Sequence, residues 1–280
     1  MYHPHLAEIC DALKKATISA FTEAECVLPP DVREAIRRSA ECERDPVAQQ
    51  ELKNILDNVE IAASNRVPIC QDTGVPVCYL TLPPQIPFCN EILEAIGKGV
   101  EEATELVPLR PNVVDPCTRE NRGKNVGAGM PLIHVSTADC LSITAFPKGA
   151  GSENLSRIAM LLPAERERIV DFVVETMLIA GGRPCPPVIL GVGIGSTFEG
   201  VAALAKLALL EPVTDMDPFE RALCDAVNRL GIGPMGLGGE TTALAVKVKR
   251  ADCHTASLPV AVNVQCWACR RARVVVEGPF

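Results

Sequence analysis

The stretch PPVILGVGIGSTFEGVAALAKLALL, residues 186–210, narrows most sharply what this chain can fold into. An apolar β-branched run passes through spaced glycines into a segment of helical period. That order predicts a strand, a glycine loop and a helix, a unit typical of α/β folds. The helical part, VAALAKLALL, is too short to span a bilayer and contains Lys206.

The flanking sequence extends the same pattern. Residues 1–64 read as helices; Asp45 followed by Pro46 marks a helix start, and Leu52, Ile55, Leu56, Val59 and Ala63 form a one-sided stripe. VPVCYLTL (75–82) reads as a buried strand and EILEAIGKGVEEATEL (91–106) as a helix, with Asn90 as its candidate cap. PLIHVS (131–136) and CLSITAF (140–146), separated by Thr-Ala-Asp, predict a hairpin. KGAGSEN (148–154) is a loop, and a helix over about 163–180 ends at Gly181-Gly182. A second glycine loop, GIGPMGLGGETT (231–242), leads into three strand-like runs, ALAVKVKRA, VAVNVQC and RVVVE. The expected fold class is α/β: an N-terminal helical region (1–64), then mixed β-sheets packed with helices (65–280), in a single compact domain.

Thirteen cysteines are spread along the chain. An odd, dispersed set is a poor disulfide framework. The opening MYHPHLAEIC lacks the apolar core of a secretory signal. Reduced thiols in a cytoplasmic protein are therefore expected. The net charge of −8 argues against a nucleic-acid partner, and no apolar run is long enough for a membrane span.

Three of the cysteines stand apart. Cys70 lies in VPICQDTG, Cys185 in RPCPPVILGVGIG and Cys266 in VNVQCWACRR. Each sits beside a strand-like run or a loop, and none falls on a helical apolar stripe. Three thiolates from distant segments suit an iron–sulfur cluster. Their wide separations along the chain match no local metal motif, so inert buried thiols remain the alternative. Cys266 and Cys269 form a CxxC that, with Cys253 and His254, suggests zinc. Adjacent residues on a strand point to opposite faces, which opposes that reading. Gly191, Gly193 and Gly195 suggest either a phosphate-binding loop or a tight strand-to-helix turn.

Asp72, in QDTG, is either a proton acceptor or a turn residue capping backbone. Arg110, in VPLRPNVVDP, is either a two-pronged carboxylate clamp or half of a structural ion pair. His254 is a candidate proton donor or substrate contact, whereas His134, inside LIHV, reads as a core histidine.

Six blocks then converge. VPICQDTG, LRPNVVDP, KGAGSEN, CPPVILGVGIGSTFEGVAALAKLALL, GIGPMGLGGETTAL and HTASLPVAVNVQCWACRRA together resemble the α subunit of the iron–sulfur hydro-lyases. These are the class I fumarases and L(+)-tartrate dehydratases, and the similarity runs in order over about residues 8–277. The resemblance implies an oxygen-sensitive [4Fe-4S] cluster held by Cys70, Cys185 and Cys266. One iron is left open as a Lewis acid for a 2-hydroxy dicarboxylate. It implies substrate contacts from Gln71, Asp72, Arg110, Gly151 and His254, with Asp72 as the base on the C3 proton. Arg110 and His254 would supply local positive charge on an acidic protein. Cys269 matches no ligand position.

Glu240 departs from the basic residue that many relatives carry in the second glycine loop, and Pro76 follows QDTG directly. Fused members carry a further β domain with a catalytic threonine and basic contacts. Here a separate β subunit in an α2β2 assembly is expected, with little turnover by this chain alone. Fumarate is the expected substrate on the prior that it is the more general metabolite; L(+)-tartrate is the alternative. A nucleotide-binding or zinc-stabilised regulatory protein is a more distant one.

Overall fold

The helical period of the N-terminal region yields α1 (Leu6–Cys26), α2 (Pro30–Cys42) and α3 (Pro46–Asn65). The computed structural model describes residues 4–278, so the first three residues of the predicted helical region lie outside it. α3 starts where Asp45 and Pro46 predict. Asp45 Oδ1 accepts the backbone N–H groups of Val47 and Ala48 at 2.9 and 3.0 Å, donors that a helix start otherwise leaves without partners. The described residues form two compact units, and the division falls within α3. The first takes the residues up to Pro29, Val59–Gly149 and those from Arg270 onward; the second takes Pro30–Asn58 and Ala150–Cys269.

The first unit contains β1 (Val75–Leu82), α4 (Asn90–Leu106), β2 (Leu132–Thr137), β3 (Ser142–Lys148) and β8 (Ala272–Val275). Its sheet order is β2-β1-β3-β8. The predicted hairpin of β2 and β3 does not form. β1 lies between them, parallel to β2 (Cys78 opposite Ile133) and antiparallel to β3 (Cys78 opposite Ala145). Burial decides this: β1 buries Val77, Cys78, Leu80 and Leu82, whereas β2 is mostly exposed. The short Thr-Ala-Asp link carries no information about which strand belongs in the middle. Leu13, Ala16 and Ala20 of α1 and Ile92, Ile96 and Val100 of α4 share one core with Cys78, Leu80, Ile143 and Ala145 of the sheet.

Two local expectations change. Cys89, with extended backbone, is the N-cap of α4, and Asn90 is already helical. His134 is not a core residue but is half-buried on β2, stacked on Tyr79 with ring centroids 4.7 Å apart.

The second unit contains α5 (Ala150–Glu153), β4 (Arg157–Leu161), α6 (Arg168–Ala180), β5 (Val188–Ser196), α7 (Phe198–Ala208), α8 (Pro218–Asn228), β6 (Ala243–Cys253) and β7 (Leu258–Gln265). Its sheet order is β4-β7-β5-β6, with β5 and β6 parallel and the other neighbours antiparallel. α6 begins later than predicted, because Pro163–Glu165 forms a separate 3-10 turn in which Glu165 accepts the N–H of Leu162. It ends as predicted at Gly181, whose φ of +57° suits glycine. Phe172, Val173 and Met177 of α6 and Leu223 and Val227 of α8 pack with Leu190, Val192, Val246 and Val262 of the sheet.

The glycines of GVGIG are not a loop. Gly191 and Gly193 lie inside β5, and the turn into α7 is capped by Thr197, whose Oγ1 accepts the Gly200 N–H. A Cβ added at Gly191 would stand 2.0 Å from the Ala205 carbonyl oxygen, and one at Gly193 would stand 2.2 Å from that of Val201. These glycines let the α7 backbone lie directly on the strand, which removes the phosphate-loop reading. The expected class, α/β with mixed sheets packed with helices, is what the described residues form, in two four-stranded sheets. Among the described residues no helix is long and apolar enough to cross a membrane.

Candidate functional site

In the first unit, QDTG forms an irregular link between α3 and β1. Cys70 is half-buried on a bend and Gln71 is exposed. Asp72 is half-buried, and its Oδ1 accepts the Gly74 N–H at 3.0 Å, the turn geometry its sequence context allows. Its other oxygen is directed past Gly149, where a Cβ would stand 3.0 Å from Oδ2. Thus Gly149 is the glycine of KGAGSEN that lies against Asp72. Gly151 is exposed at the start of α5 with open space around it.

The LRPN segment is fastened to the same link. Thr73 Oγ1 donates to the Arg110 carbonyl at 3.1 Å, and Asn125 Nδ2 donates to it at 3.2 Å. Asn112 Nδ2 donates to Thr73 Oγ1 and to the Gly74 carbonyl, and Asn125 Oδ1 accepts the Asn112 N–H. The Arg110 backbone is therefore fixed while its side chain is exposed, with no ion-pair partner among the described residues. An anchored base with an uncommitted guanidinium suits capture of an anionic ligand.

Behind Asp72 lies a pair that sequence reading missed. Arg270, 1% exposed, donates from Nη2 to the Asp72 carbonyl at 2.8 Å and from Nη1 to Glu25 Oε2 at 2.6 Å. Burial pushes the Glu25 carboxyl up to about 7 despite Arg270, and the negative charge of Asp72 adds to the rise. A proton kept in the folded state but lost from the unfolded chain makes stability fall as pH rises. Between the ordinary carboxylate value and about 7, the apo chain should lose stability, and Glu25→Gln should flatten that slope. Urea melts of both proteins at several pH values measure it; parallel pH profiles would refute the assignment.

In the second unit the structure brings together the segments carrying Cys185 and Cys266. The Trp267 N–H donates to the Cys185 carbonyl, and the Met235 N–H donates to that of Pro186 at 2.7 Å. The Cys185 segment is thus held by both the CWAC turn and the second glycine loop. Both thiols are half-buried and lie off regular structure. Cys185 has φ of +53°, a conformation that costs a non-glycine residue about 1–3 kcal/mol and is concentrated at functional sites. Gln265 Nε2 lies 3.3 Å from Cys266 Sγ. Cys269, by contrast, is fully buried with its sulfur against the Leu209 carbonyl.

His254 is exposed after β6, in a cleft of about 360 Å³ that Ser196, Thr197, Asp252 and Ser257 also line. Its Nδ1 accepts the Ala256 N–H, so the neutral ring carries its proton on Nε2. Glu240 forms an exposed ion pair with Arg44, and its N–H is held by the buried carboxylate of Glu43, which also accepts from Thr241. The buried Glu43 carboxylate therefore holds this loop by its backbone, and Glu240 pairs with Arg44 at the surface.

None of the 13 cysteines is in a disulfide. Among the described residues no group of three or more His, Cys, Asp or Glu side chains could hold a single metal ion, so Cys253 and His254 complete no zinc site. A cluster asks something different, since each thiolate binds its own iron. Taken singly, Cys70, Cys185 and Cys266 each suit that group as a ligand: all three are soft thiols, half-buried and on irregular backbone, and Cys185 is in a strained conformation.

The family described as Fumarate hydratase (Fumerase) matches residues 14–275. A Methanocaldococcus jannaschii protein provisionally named L(+)-tartrate dehydratase subunit alpha is 45% identical over 273 residues, covering 93% of this chain and 96% of its own. L(+)-tartrate dehydratase subunit alpha of Escherichia coli O157:H7 is 33% identical over 90% of this chain and 86% of its own. The protein of that name from Escherichia coli K12 is 32% identical over the same shares. The match across nearly every element of both units makes this chain a member of the fumarate hydratase (Fumerase) family of hydro-lyases.

Proposed function

We propose that this chain is the α subunit of a [4Fe-4S]-dependent hydro-lyase that reversibly hydrates fumarate to L-malate. The observation that carries it is the family match over residues 14–275. Residues 1–280 act as one cluster-binding α domain, with Cys70, Cys185 and Cys266 as ligands. When bound, such a cluster leaves one iron without a protein ligand to act as a Lewis acid on the substrate hydroxyl. Arg110 holds a substrate carboxylate through its guanidinium fork. Asp72 removes the C3 proton in the dehydration direction and returns it in hydration. Gln71, Gly151 and His254 complete the substrate contacts.

The relatives named as α subunits support a β-subunit partner, which we place in an α2β2 assembly in the cytoplasm. The same names favour a second reading, dehydration of L(+)-tartrate. Anaerobic assay of the α–β complex on fumarate, L-malate and L-tartrate separates the two. Fumarate hydration is expected to dominate, and preference for L-tartrate would favour the second reading. Asp72→Asn should lower kcat by about 10²–10⁴-fold, the range of general base catalysis, while Arg110→Met should chiefly raise KM. A folded chain that shows no iron–sulfur absorption after reconstitution with iron and sulfide would overturn the proposal.

A further inference from the structure

We infer that Gln265 is a positioning residue for Cys266, holding its sulfur in place and donating an N–H to it so as to raise the electron affinity of the cluster. This rests on the iron–sulfur function proposed above. Gln265 ends β7, opposite Ile189 of β5, and is fully buried. Its Nε2 lies 3.0 Å from the Ala268 carbonyl, 3.4 Å from the Cys266 carbonyl and 3.3 Å from Cys266 Sγ. Two carbonyl acceptors identify this end of the amide as the nitrogen, since an oxygen there would face only lone pairs. One side chain thus folds the CWAC turn back on itself and reaches the sulfur.

Packing does not account for a glutamine here. A buried amide costs free energy unless it is hydrogen-bonded, and Gln265 Oε1 has no hydrogen-bond partner among the described residues. A methionine would fill the same volume with no stranded oxygen. What glutamine adds is the N–H. In the thiol form Cys266 can donate weakly to the Ala268 carbonyl at 3.9 Å. A metal-bound thiolate has no proton to give, and the Gln265 amide then supplies a donor to its negative charge. Hydrogen bonds to cluster sulfurs favour the reduced, more negative state and are among the features that set its potential.

The test compares wild-type and Gln265→Met full chains, each with the β subunit, reconstituted anaerobically with iron and sulfide. The variant should load similar iron, yet its midpoint potential should move to more negative values. A tenfold change in the reduction equilibrium, about 59 mV for one electron, is the expected size. Its electron paramagnetic resonance spectrum should change as well. An unchanged potential and spectrum in a loaded, folded variant would overturn the role of Gln265 alone. A wild-type protein that takes up no cluster would overturn the underlying function and this inference with it. Should the variant not fold, pulsed resonance on wild type labelled with 15N-glutamine decides. A nitrogen coupling that persists in Gln71→Leu is expected, and its absence would refute the bond.

Discussion

Serine in place of Cys70, Cys185 or Cys266 should strip the protein of iron–sulfur absorption and cut the activity of the complex by about a thousandfold. A hydroxyl is a poor, hard ligand for iron where a thiolate is a soft one. Activity should follow the cluster, because Lewis-acid activation of a hydroxyl leaving group is worth several kcal/mol. A barrier change of about 1.4 kcal/mol is already tenfold in rate. Cys269→Ser is the control. Its thiol is fully buried against the Leu209 carbonyl, so the change should cost some stability but leave the iron count alone. Iron and sulfide analysis after anaerobic reconstitution reads this directly. Equal loss of iron from Cys269→Ser would revive the CxxC as the ligand pair.

Gly191→Ala should damage the second unit severely, lowering stability by about 3 kcal/mol or more. The added carbon would stand 2.0 Å from the Ala205 carbonyl oxygen and 2.8 Å from Leu209 Cγ. Backbone cannot rotate away as a side chain can, so α7 must lift from β5 and open the packing around it. Denaturant midpoints, or the yield of soluble chain if the variant fails to accumulate, measure the cost. A loss no larger than about 0.5 kcal/mol, the range of an ordinary surface substitution, would show that helix and strand are not in direct backbone contact. Gly151→Ala is the contrast: its Cβ meets open space, and stability should barely move.

Much of the element order was legible because it rests on local rules. Asp45 caps α3 through its own carboxylate, and Gly181 ends α6 at positive φ. The apolar runs VPVCYLTL, PPVIL and VAVNVQC lie largely in β1, β5 and β7. The errors arose where the outcome depended on something far away in sequence. The hairpin failed because a distant strand, β1, competed for the position beside β3. GVGIG misled because its spacing fits a phosphate loop and equally a strand under a close helix; only α7 lying on β5 separates them.

The site divides in the same way. Thiols, an acid and an arginine in unusual settings can be seen in the sequence, and Cys70, Asp72, Arg110, Cys185 and Cys266 were singled out on that basis. Their supports could not be. Arg270 reads as one of three charges in CRRAR, yet it is buried between Glu25 and the Asp72 carbonyl, both far from it along the chain. Asn112 and Asn125 look like ordinary loop residues, yet they tie the Arg110 and QDTG segments together. Gln265 looks like one polar residue ending a strand.

By itself, the sequence determined the composition of the chemistry: reduced cysteines, the two glycine segments, and an order of helices and strands that only an α/β fold accommodates. Periodicity, capping and side-chain chemistry act within a few residues, so they can be read in one dimension. The tertiary structure alone decided which strand is central, which glycine faces Asp72, and which buried polar groups hold the thiol and carboxylate segments. Each of these depends on desolvation, and a buried charge or amide is stable only where a distant part of the chain supplies its partner.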